Sequence, residues 1–224
     1  MNTSLKLLRF LGPTLLFFAT FVVFPPLVIS YLNAELDSGM LIICFLSAVY
    51  AGIIALTLRR KKFSYTPKDG FIITFVAWVF VSLIASFPFF SYGLSFSDSV
   101  FEAVSGLTTT GSTSITNLSE LPDYLLLYRQ LLQWAGGVGL VIVVLAIIPA
   151  VSGGMKVLQA ETAGFADKSF SPRLRETARS LLKFYLLITF LCAFAYWLAG
   201  MSVFEATTHS FSTVSIGGFS IYNE

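Results

Sequence analysis

Five long apolar stretches, separated by short polar segments, dominate the pattern of this chain. An α-helix needs about 20 mostly apolar residues to cross the hydrocarbon core of a membrane. The pattern therefore predicts membrane-spanning helices, and Pro25-Pro26 is expected to kink or end the first of them. The stretches without any Asp, Glu, Lys or Arg are Phe10–Ala34, Ser38–Leu58, Phe71–Ser97, Gln130–Met155 and Phe184–Phe204.

Two short polar segments interrupt this pattern and repeat one another. Ser99-Val-Phe-Glu-Ala103 recurs as Ser202-Val-Phe-Glu-Ala206, and each copy leads into a Ser/Thr-rich run that ends in glycine. Both copies match the capping box, in which a serine and a glutamate satisfy the free N–H groups of a helix start. Each segment is predicted to be a half-helix followed by a loop within the membrane. Capping is the preferred role for Glu102 and Glu205, ahead of attracting cations.

The loops after both half-helices suit the binding of a dehydrated cation. A half-helix of this length reaches roughly the bilayer midplane, and its C-terminal end carries a partial negative charge. Glycine permits close approach, so loop carbonyl oxygens can face one axis and replace water around an ion. The predicted ion-binding residues are Thr109, Thr110, Gly111, Ser112, Ser215, Ile216, Gly217 and Gly218, with Thr109, Thr110, Ser215 and Ile216 in direct contact with the ion.

Charged residues are few and unevenly placed. They form 12% of the chain, against 56% hydrophobic residues, which favours an integral membrane protein. Thirteen of the 14 lysines and arginines lie near the N-terminus or after the second and fourth apolar stretches, and the exception is Arg129. Because such an excess marks the cytoplasmic side, we expect a cytoplasmic N-terminus and loops that enter from outside. Arg129 is expected to form a structural pair with an outer carboxylate, with repulsion of cations near the pore as the alternative.

These elements predict an all-α membrane protein with an internal repeat. Residues 1–68 form an N-terminal transmembrane hairpin, and residues 69–155 a first helix–pore-loop–helix repeat. Residues 156–176 are expected to form a cytoplasmic loop, and residues 177–224 a second repeat without its last helix. Gly136-Gly-Val-Gly139, within the fourth stretch, is expected to allow close helix contact, with a hinge as the alternative.

The remaining reactive residues indicate packing rather than catalysis. Cys44 and Cys192 lie inside apolar stretches and are expected to be small buried hydrophobic groups. His209, the only histidine, is expected to pack or to form a hydrogen bond. No paired catalytic groups occur within the apolar stretches, so neither an enzyme nor a bound organic cofactor is predicted. No basic run with interleaved aromatic residues is present, which argues against nucleic-acid binding.

Several motifs taken together resemble one known family. They are Phe101-Glu-Ala-Val-Ser-Gly-Leu-Thr-Thr-Thr-Gly111, Tyr128-Arg-Gln-Leu-Leu-Gln-Trp-Ala-Gly-Gly137, Gln159-Ala-Glu-Thr162, Pro172-Arg-Leu-Arg-Glu-Thr-Ala178 and His209-Ser-Phe-Ser-Thr213 with Gly217-Gly-Phe-Ser220. The chain resembles the Trk/Ktr/HKT potassium transporter superfamily, in particular its bacterial TrkH-type uptake subunits. The resemblance implies four repeats around one K⁺ pore, with Gly111 and Gly217 as filter glycines. It also implies a homodimer and a cytosolic nucleotide-binding regulatory subunit of the TrkA type.

Two functional hypotheses follow. The first is potassium uptake across the bacterial inner membrane, by a chain expected to be a truncated fragment because it ends at Glu224, just after the second loop. The alternative is a non-conducting membrane subunit that associates with intact transporter chains. Copurification without transport would favour the alternative.

Overall fold

A computed structural model describes residues 3–58, 67–151 and 170–223 of the chain. Within these ranges the protein consists of helices joined by short loops, and no β-strand occurs. The predicted all-α class is therefore confirmed.

The first apolar stretch is a nearly continuous helix. Helix α1 covers Thr3–Phe18, a π-helical turn covers Ala19–Val23, and α2 covers Phe24–Leu32. Pro25 and Pro26 lie in the first turn of α2, where a missing N–H costs least. The π-helical turn before them keeps the helix continuous, since the N–H of Phe24 donates to the carbonyl of Ala19. The two prolines thus do not end the helix, and α3, Ser38–Leu58, packs back against α1.

The third apolar stretch is divided between two helices. Helix α4 covers Pro67–Ala85, and α5 covers Phe87–Tyr92. Between them the hydroxyl of Ser86 donates to a carbonyl three residues earlier at 2.7 Å. Helix α5 is followed by Gly93, whose φ of 116° lies in the left-handed region and ends the helix. The predicted span therefore ends at Tyr92 instead of Ser97.

Helices α6 and α7 form the centre of the described structure. Helix α6 covers Phe96–Leu107, and a 3₁₀ turn at Leu118–Glu120 leads into α7, Asp123–Val151. The 29 residues of α7 extend about 43 Å at 1.5 Å per residue, enough to cross a bilayer. The fourth predicted stretch, Gln130–Met155, begins within α7, and its last residues lie outside the described part of the chain.

Helix α8, Phe170–Leu198, and helix α9, Val203–Ser215, follow. The chain is already helical at Phe170, so the end of the predicted cytoplasmic loop is part of α8, and residues 156–169 lie outside the described ranges. Helix α8 ends six residues before the predicted Phe204, because Gly200, with a φ of 103°, turns the chain toward α9. Helix α9 packs against both α8 and α7.

A hydrophobic core joins the first hairpin to α7. Val22, Met40, Phe89, Leu125 and Tyr128 are completely buried in it. The hydroxyl of Tyr128 donates to the carbonyl of Ala85 at 2.9 Å, so this buried polar group is satisfied. Cys44 and Cys192 are both free and only half-buried.

Four helical segments among the described residues are long and apolar enough to cross a membrane. They are Ser4–Leu32, Ser38–Thr57, Asp69–Tyr92 and Glu176–Leu198. Large apolar side chains on them, such as Phe45, Leu56, Phe75 and Phe190, are exposed. Apolar surface on this scale fits contact with lipid instead of water. These segments coincide with four of the five predicted spans, and the protein is a membrane protein.

Candidate ion-binding site

Helices α6 and α9 are the two half-helices, and each begins with a serine cap. In α9 the predicted capping box is confirmed, since the hydroxyl of Ser202 accepts from the N–H of Glu205 at 3.2 Å and the carboxylate accepts from Ser202 N–H at 2.8 Å. In α6 the cap is Ser95, whose hydroxyl accepts the N–H three residues later at 3.1 Å. The capping box predicted at Ser99 and Glu102 is wrong, because both residues lie inside the helix. The structural repeat is thus displaced by about one helical turn from the repeated letters.

The chain after each half-helix follows the same backbone path. We call residues 108–116 the first loop and residues 216–222 the second loop. Thr109 and Ile216 both adopt the left-handed region, with φ of 55° and 56°. Two residues later, Gly111 and Gly218 also match, with φ of 79° and 80°. Gly218, and not the predicted Gly217, therefore has the backbone conformation of Gly111.

Glu102 holds the first loop from within α6. Its Oε1 accepts from the hydroxyl of Thr113 at 2.6 Å and from the N–H of Ser114 at 2.8 Å. One turn further along α6, the hydroxyl of Ser105 donates to the carbonyl of Ser112 at 2.5 Å. Because the bonds reach three successive loop residues, the first loop folds back along its own half-helix.

Three fully buried side chains of α7 hold the second loop. Nε2 of Gln133 donates to the carbonyl of Gly217 at 2.8 Å, and its Oε1 accepts from the N–H of Phe219 at 3.2 Å. Gln130 donates to the carbonyl of Phe219 at 3.1 Å, and Arg129 donates to the next carbonyl along the chain at 3.2 Å. The second loop is thus fixed by a helix other than the one that precedes it.

The two loops meet at Gly111. A Cβ built on this residue would overlap the carbonyl oxygen of Gly217 and would lie 3.4 Å from the Cα of Gly218. Both this lack of space and the left-handed φ require glycine. The structure therefore brings Gly111, Gly217 and Gly218 of the predicted ion-binding set into contact.

Several loop carbonyl oxygens accept no hydrogen bond from the described residues. They belong to Thr109, Thr110 and Gly111 in the first loop and to Ile216 and Gly218 in the second. The residues that carry these oxygens are exposed or half-buried. These groups are therefore available to a ligand.

The C-terminal ends of both half-helices also pack against α7. A Cβ at Gly136 would overlap the carbonyl of Leu107, the last residue of α6, and one at Gly137 would lie 3.2 Å from the Cβ of Ser215, the last residue of α9. The close helix contact predicted for this glycine segment is confirmed. Two helix ends with partial negative charge thus converge at one level of α7.

Ser215 lies inside α9 and not in the extended loop that the sequence predicted. Its hydroxyl donates to the carbonyls of Phe211 and Ser212 at 2.8 and 3.1 Å. The hydroxyl of Ser215 is therefore hydrogen-bonded to the backbone of its own helix. In the first loop, by contrast, the exposed hydroxyls of Thr108 and Thr110 lie 2.8 Å apart and share a hydrogen bond.

Arg129 and Glu102 form a buried ion pair beside the loops. Nε of Arg129 donates to Oε2 of Glu102 at 3.1 Å, and the two side chains are 1% and 0% exposed. The guanidinium also lies over the ring of Phe219, 4.2 Å from its centroid. The predicted structural pair with a carboxylate is confirmed, although Glu102 is buried and not at the outer end of its helix.

Gln130 and Gln133 are site residues that the sequence reasoning did not single out. The available signal was a pair of amides three residues apart in a mostly apolar helix, which places them on one face. Polar side chains within membrane helices are costly and are often functional. Their partners were not predictable, because Gly217 lies 84 residues along the chain from Gln133.

An aromatic cluster holds the C-terminal end of the second loop. The hydroxyl of Tyr222 donates to Oε1 of Glu205 at 2.5 Å, and its ring stacks on His209 with centroids 5.6 Å apart. The bond from Tyr222, together with the backbone N–H of Ser202, lowers the pKa of Glu205, and the same bond raises the pKa of Tyr222. The packing role predicted for His209 is confirmed.

Residues 38–224 match the family model TrkH, described as a cation transport protein. The TrkH potassium uptake protein of Vibrio parahaemolyticus is 45% identical over 170 residues, covering 74% of this chain and 35% of the relative. The TrkH potassium uptake protein of Salmonella typhimurium is 37% identical over 220 residues, covering 96% of this chain and 46% of the relative.

A solved structure gives the same result. The crystal structure of the potassium transporter TrkH from Vibrio parahaemolyticus matches with a TM-score of 0.80 at 35% identity, covering 100% of this chain and 45% of that one. The chain spans less than half the length of these relatives. Since the family model matches most of its residues, the chain belongs to the TrkH family of cation transport proteins.

Proposed function

We propose that this chain supplies two loops of a K⁺ pathway and takes part in potassium uptake across the bacterial inner membrane. Its relatives are named potassium uptake proteins. The observation that carries the proposal is the meeting of two loops at Gly111, each with carbonyl oxygens that accept no hydrogen bond from the described residues. Such carbonyls can replace the hydration shell of a potassium ion.

The eight predicted ion-binding residues take different roles in this proposal. The carbonyls of Thr109, Thr110, Gly111, Ile216 and Gly218 face the ion. The carbonyls of Ser112 and Gly217 are engaged by Ser105 and Gln133, so these residues support the loops. Ser215 ends α9, where the helix contributes partial negative charge. Resemblance to a four-repeat family supports two further loops around the same pore.

Charge distribution supports an orientation with the N-terminus in the cytoplasm and the loops entering from outside. Ser4 lies near the start of α1 and Ser119 in the 3₁₀ turn before α7, and both are exposed. After Cys44 and Cys192 are replaced by alanine, a membrane-impermeant thiol reagent should label Ser119→Cys in intact cells and spare Ser4→Cys. Labelling of Ser4→Cys alone would contradict the orientation. A homodimer and a cytosolic TrkA-type regulatory subunit are part of the proposal.

Transport is tested with a chimaera in which this chain replaces the matching part of the Vibrio parahaemolyticus relative. The chimaera should restore growth on low potassium to bacteria that lack their own uptake systems. Gly111→Ala should abolish the rescue, because its Cβ overlaps the Gly217 carbonyl. The matched control is Gly52→Ala in α3, where an added Cβ meets no atom within 4 Å.

The outcomes separate the two hypotheses. Loss of rescue with Gly111→Ala alone supports a conducting loop. Rescue that survives Gly111→Ala would contradict the assignment of the loops. A chimaera that reaches the membrane and associates with intact chains, but transports nothing, would favour a non-conducting subunit.

A further inference from the structure

We propose that the Glu102–Arg129 pair is a brace that fixes the first loop relative to the second and thereby sets how strictly the loops select among monovalent cations. The selectivity part rests on the proposed function. The mechanical coupling of the two loops stands without it.

The two oxygens of Glu102 have separate partners. Oε1 accepts from Thr113 and Ser114 of the first loop, at 2.6 and 2.8 Å. Oε2 accepts from Nε of Arg129 at 3.1 Å. A single buried carboxylate thus joins the first loop to α7.

Arg129 continues this connection to the second loop. Its Nη1 donates to the carbonyl of Ser220 at 3.2 Å, while its guanidinium plane packs over Phe219. The planar guanidinium offers donors in fixed directions, which the ammonium of a lysine does not. An unbroken chain of hydrogen bonds therefore runs from Ser114 through Glu102 and Arg129 to Ser220.

Burial makes this connection stiff. Neither side chain is open to water, so water does not compete for the bond between them, and losing one partner leaves an uncompensated charge. The pair has no net charge, so it adds little field of its own at the ion. Its contribution is geometric, and discrimination between cations depends on how closely supporting residues hold the ligating groups.

Hydrogen exchange measured by mass spectrometry on the 224-residue chain in nanodiscs tests the coupling. Glu102→Gln keeps the shape of the side chain but removes its charge. Arg129→Lys keeps the charge but removes the planar set of N–H donors. We expect each variant to speed exchange about tenfold in both loops, including the loop that the altered residue does not touch. The matched control is Asp37→Asn, which alters a buried carboxylate bonded to Met40 and Ser91 and not to either loop.

A milder variant covers the case in which either substitution prevents folding. Thr113→Val removes one exposed hydroxyl, which donates to Glu102 and accepts from the N–H of Ile115 within the first loop. It should speed exchange in the second loop measurably, about twofold to threefold. Faster exchange confined to the loop that each variant touches would overturn the brace.

The selectivity part is tested with the transport chimaera, from the ratio of rubidium uptake to sodium uptake. Glu102→Gln and Arg129→Lys should lower this ratio about tenfold, and Asp37→Asn should leave it unchanged. An unchanged ratio together with faster exchange would overturn the selectivity part. An unmodified chimaera that transports neither ion would overturn the proposed function instead, and the exchange result would still decide the brace.

Discussion

Gln133 is the residue whose single side chain satisfies two backbone groups of the second loop. Its amide donates to the carbonyl of Gly217 and accepts from the N–H of Phe219, and it is completely buried. Buried backbone groups without partners are costly, so this one residue contributes a large share of the stability of the loop.

Replacement of Gln133 by leucine should lower the free energy of unfolding by about 3 kcal/mol, because it leaves two buried backbone groups unpaired at about 1–3 kcal/mol each. Unfolding in mixed micelles measures the change. The control is Thr57→Val, which removes an exposed hydroxyl that bonds only to its own helix and should stay within about 0.5 kcal/mol. Equal effects of the two variants would contradict the role of Gln133.

Glu205 and Tyr222 predict a pH dependence at the C-terminal end of the second loop. The pKa of Glu205 is lowered in the folded protein, first by the Tyr222 hydroxyl and then by Ser202. Its ionised form therefore stabilises the fold above the ordinary glutamate pKa of about 4.3, and this contribution is lost as the pH falls through the lower folded value.

Thermal unfolding between pH 7 and pH 3 measures this effect. Tyr222→Phe should melt at a lower temperature than the unmodified chain at pH 7, because it removes the first of these hydrogen bonds. The difference should shrink as the carboxylate is protonated. A difference that is constant over this range would mean that Tyr222 acts by packing on His209 alone.

Among the elements, the start of α6 shows how a sequence signal can be ambiguous. Ser95 and Ser99 are each followed three residues later by a carboxylate, so both fit a capping pattern. Packing against α7 decides between them, since it requires Glu102 inside the helix and beside Arg129. The repeated letters therefore indicated two half-helices but not the register in which they correspond.

Substitutions at the two serines separate these possibilities. Ser95→Ala should destabilise the protein by about 1 kcal/mol through loss of the cap. Ser99→Ala should cost less than half of that, because its hydroxyl donates to the carbonyl of Ser95, which also accepts the N–H of Ser99. Unfolding in mixed micelles compares the two variants. A larger effect at Ser99 would support Ser99, and not Ser95, as the cap of α6.

Apolar length alone predicted four of the described spans, because crossing a membrane demands that length whatever the packing. The close approach at Gly136 was also predictable, since glycine within a membrane helix signals contact with a neighbour. The positions of Ser215 and Gly218 were not predictable. Shifting a loop by one residue leaves the local conformational preferences of the sequence equally well satisfied. Only the bonds from Gln133 and the contact at Gly111 fix that register.

For the molecule as a whole, α7 is the element on which both loops depend. It holds the second loop through Arg129, Gln130 and Gln133, receives both half-helix ends at its glycines, and reaches the first loop through Glu102. The exposed apolar faces of α3 and α8 lie away from it. The chain is thus arranged around one helix, with the candidate ion-binding loops on its buried side.

The most direct measurement is anomalous X-ray diffraction from crystals of the transport chimaera grown in a rubidium salt, since Rb⁺ substitutes for K⁺ and its position can be located. We expect a rubidium peak between the two loops, in contact with the carbonyl oxygens of Thr110 and Gly111 on one side and Gly218 on the other. Ordered loops with no peak between them, or a peak bound only by side chains elsewhere, would contradict the proposed site.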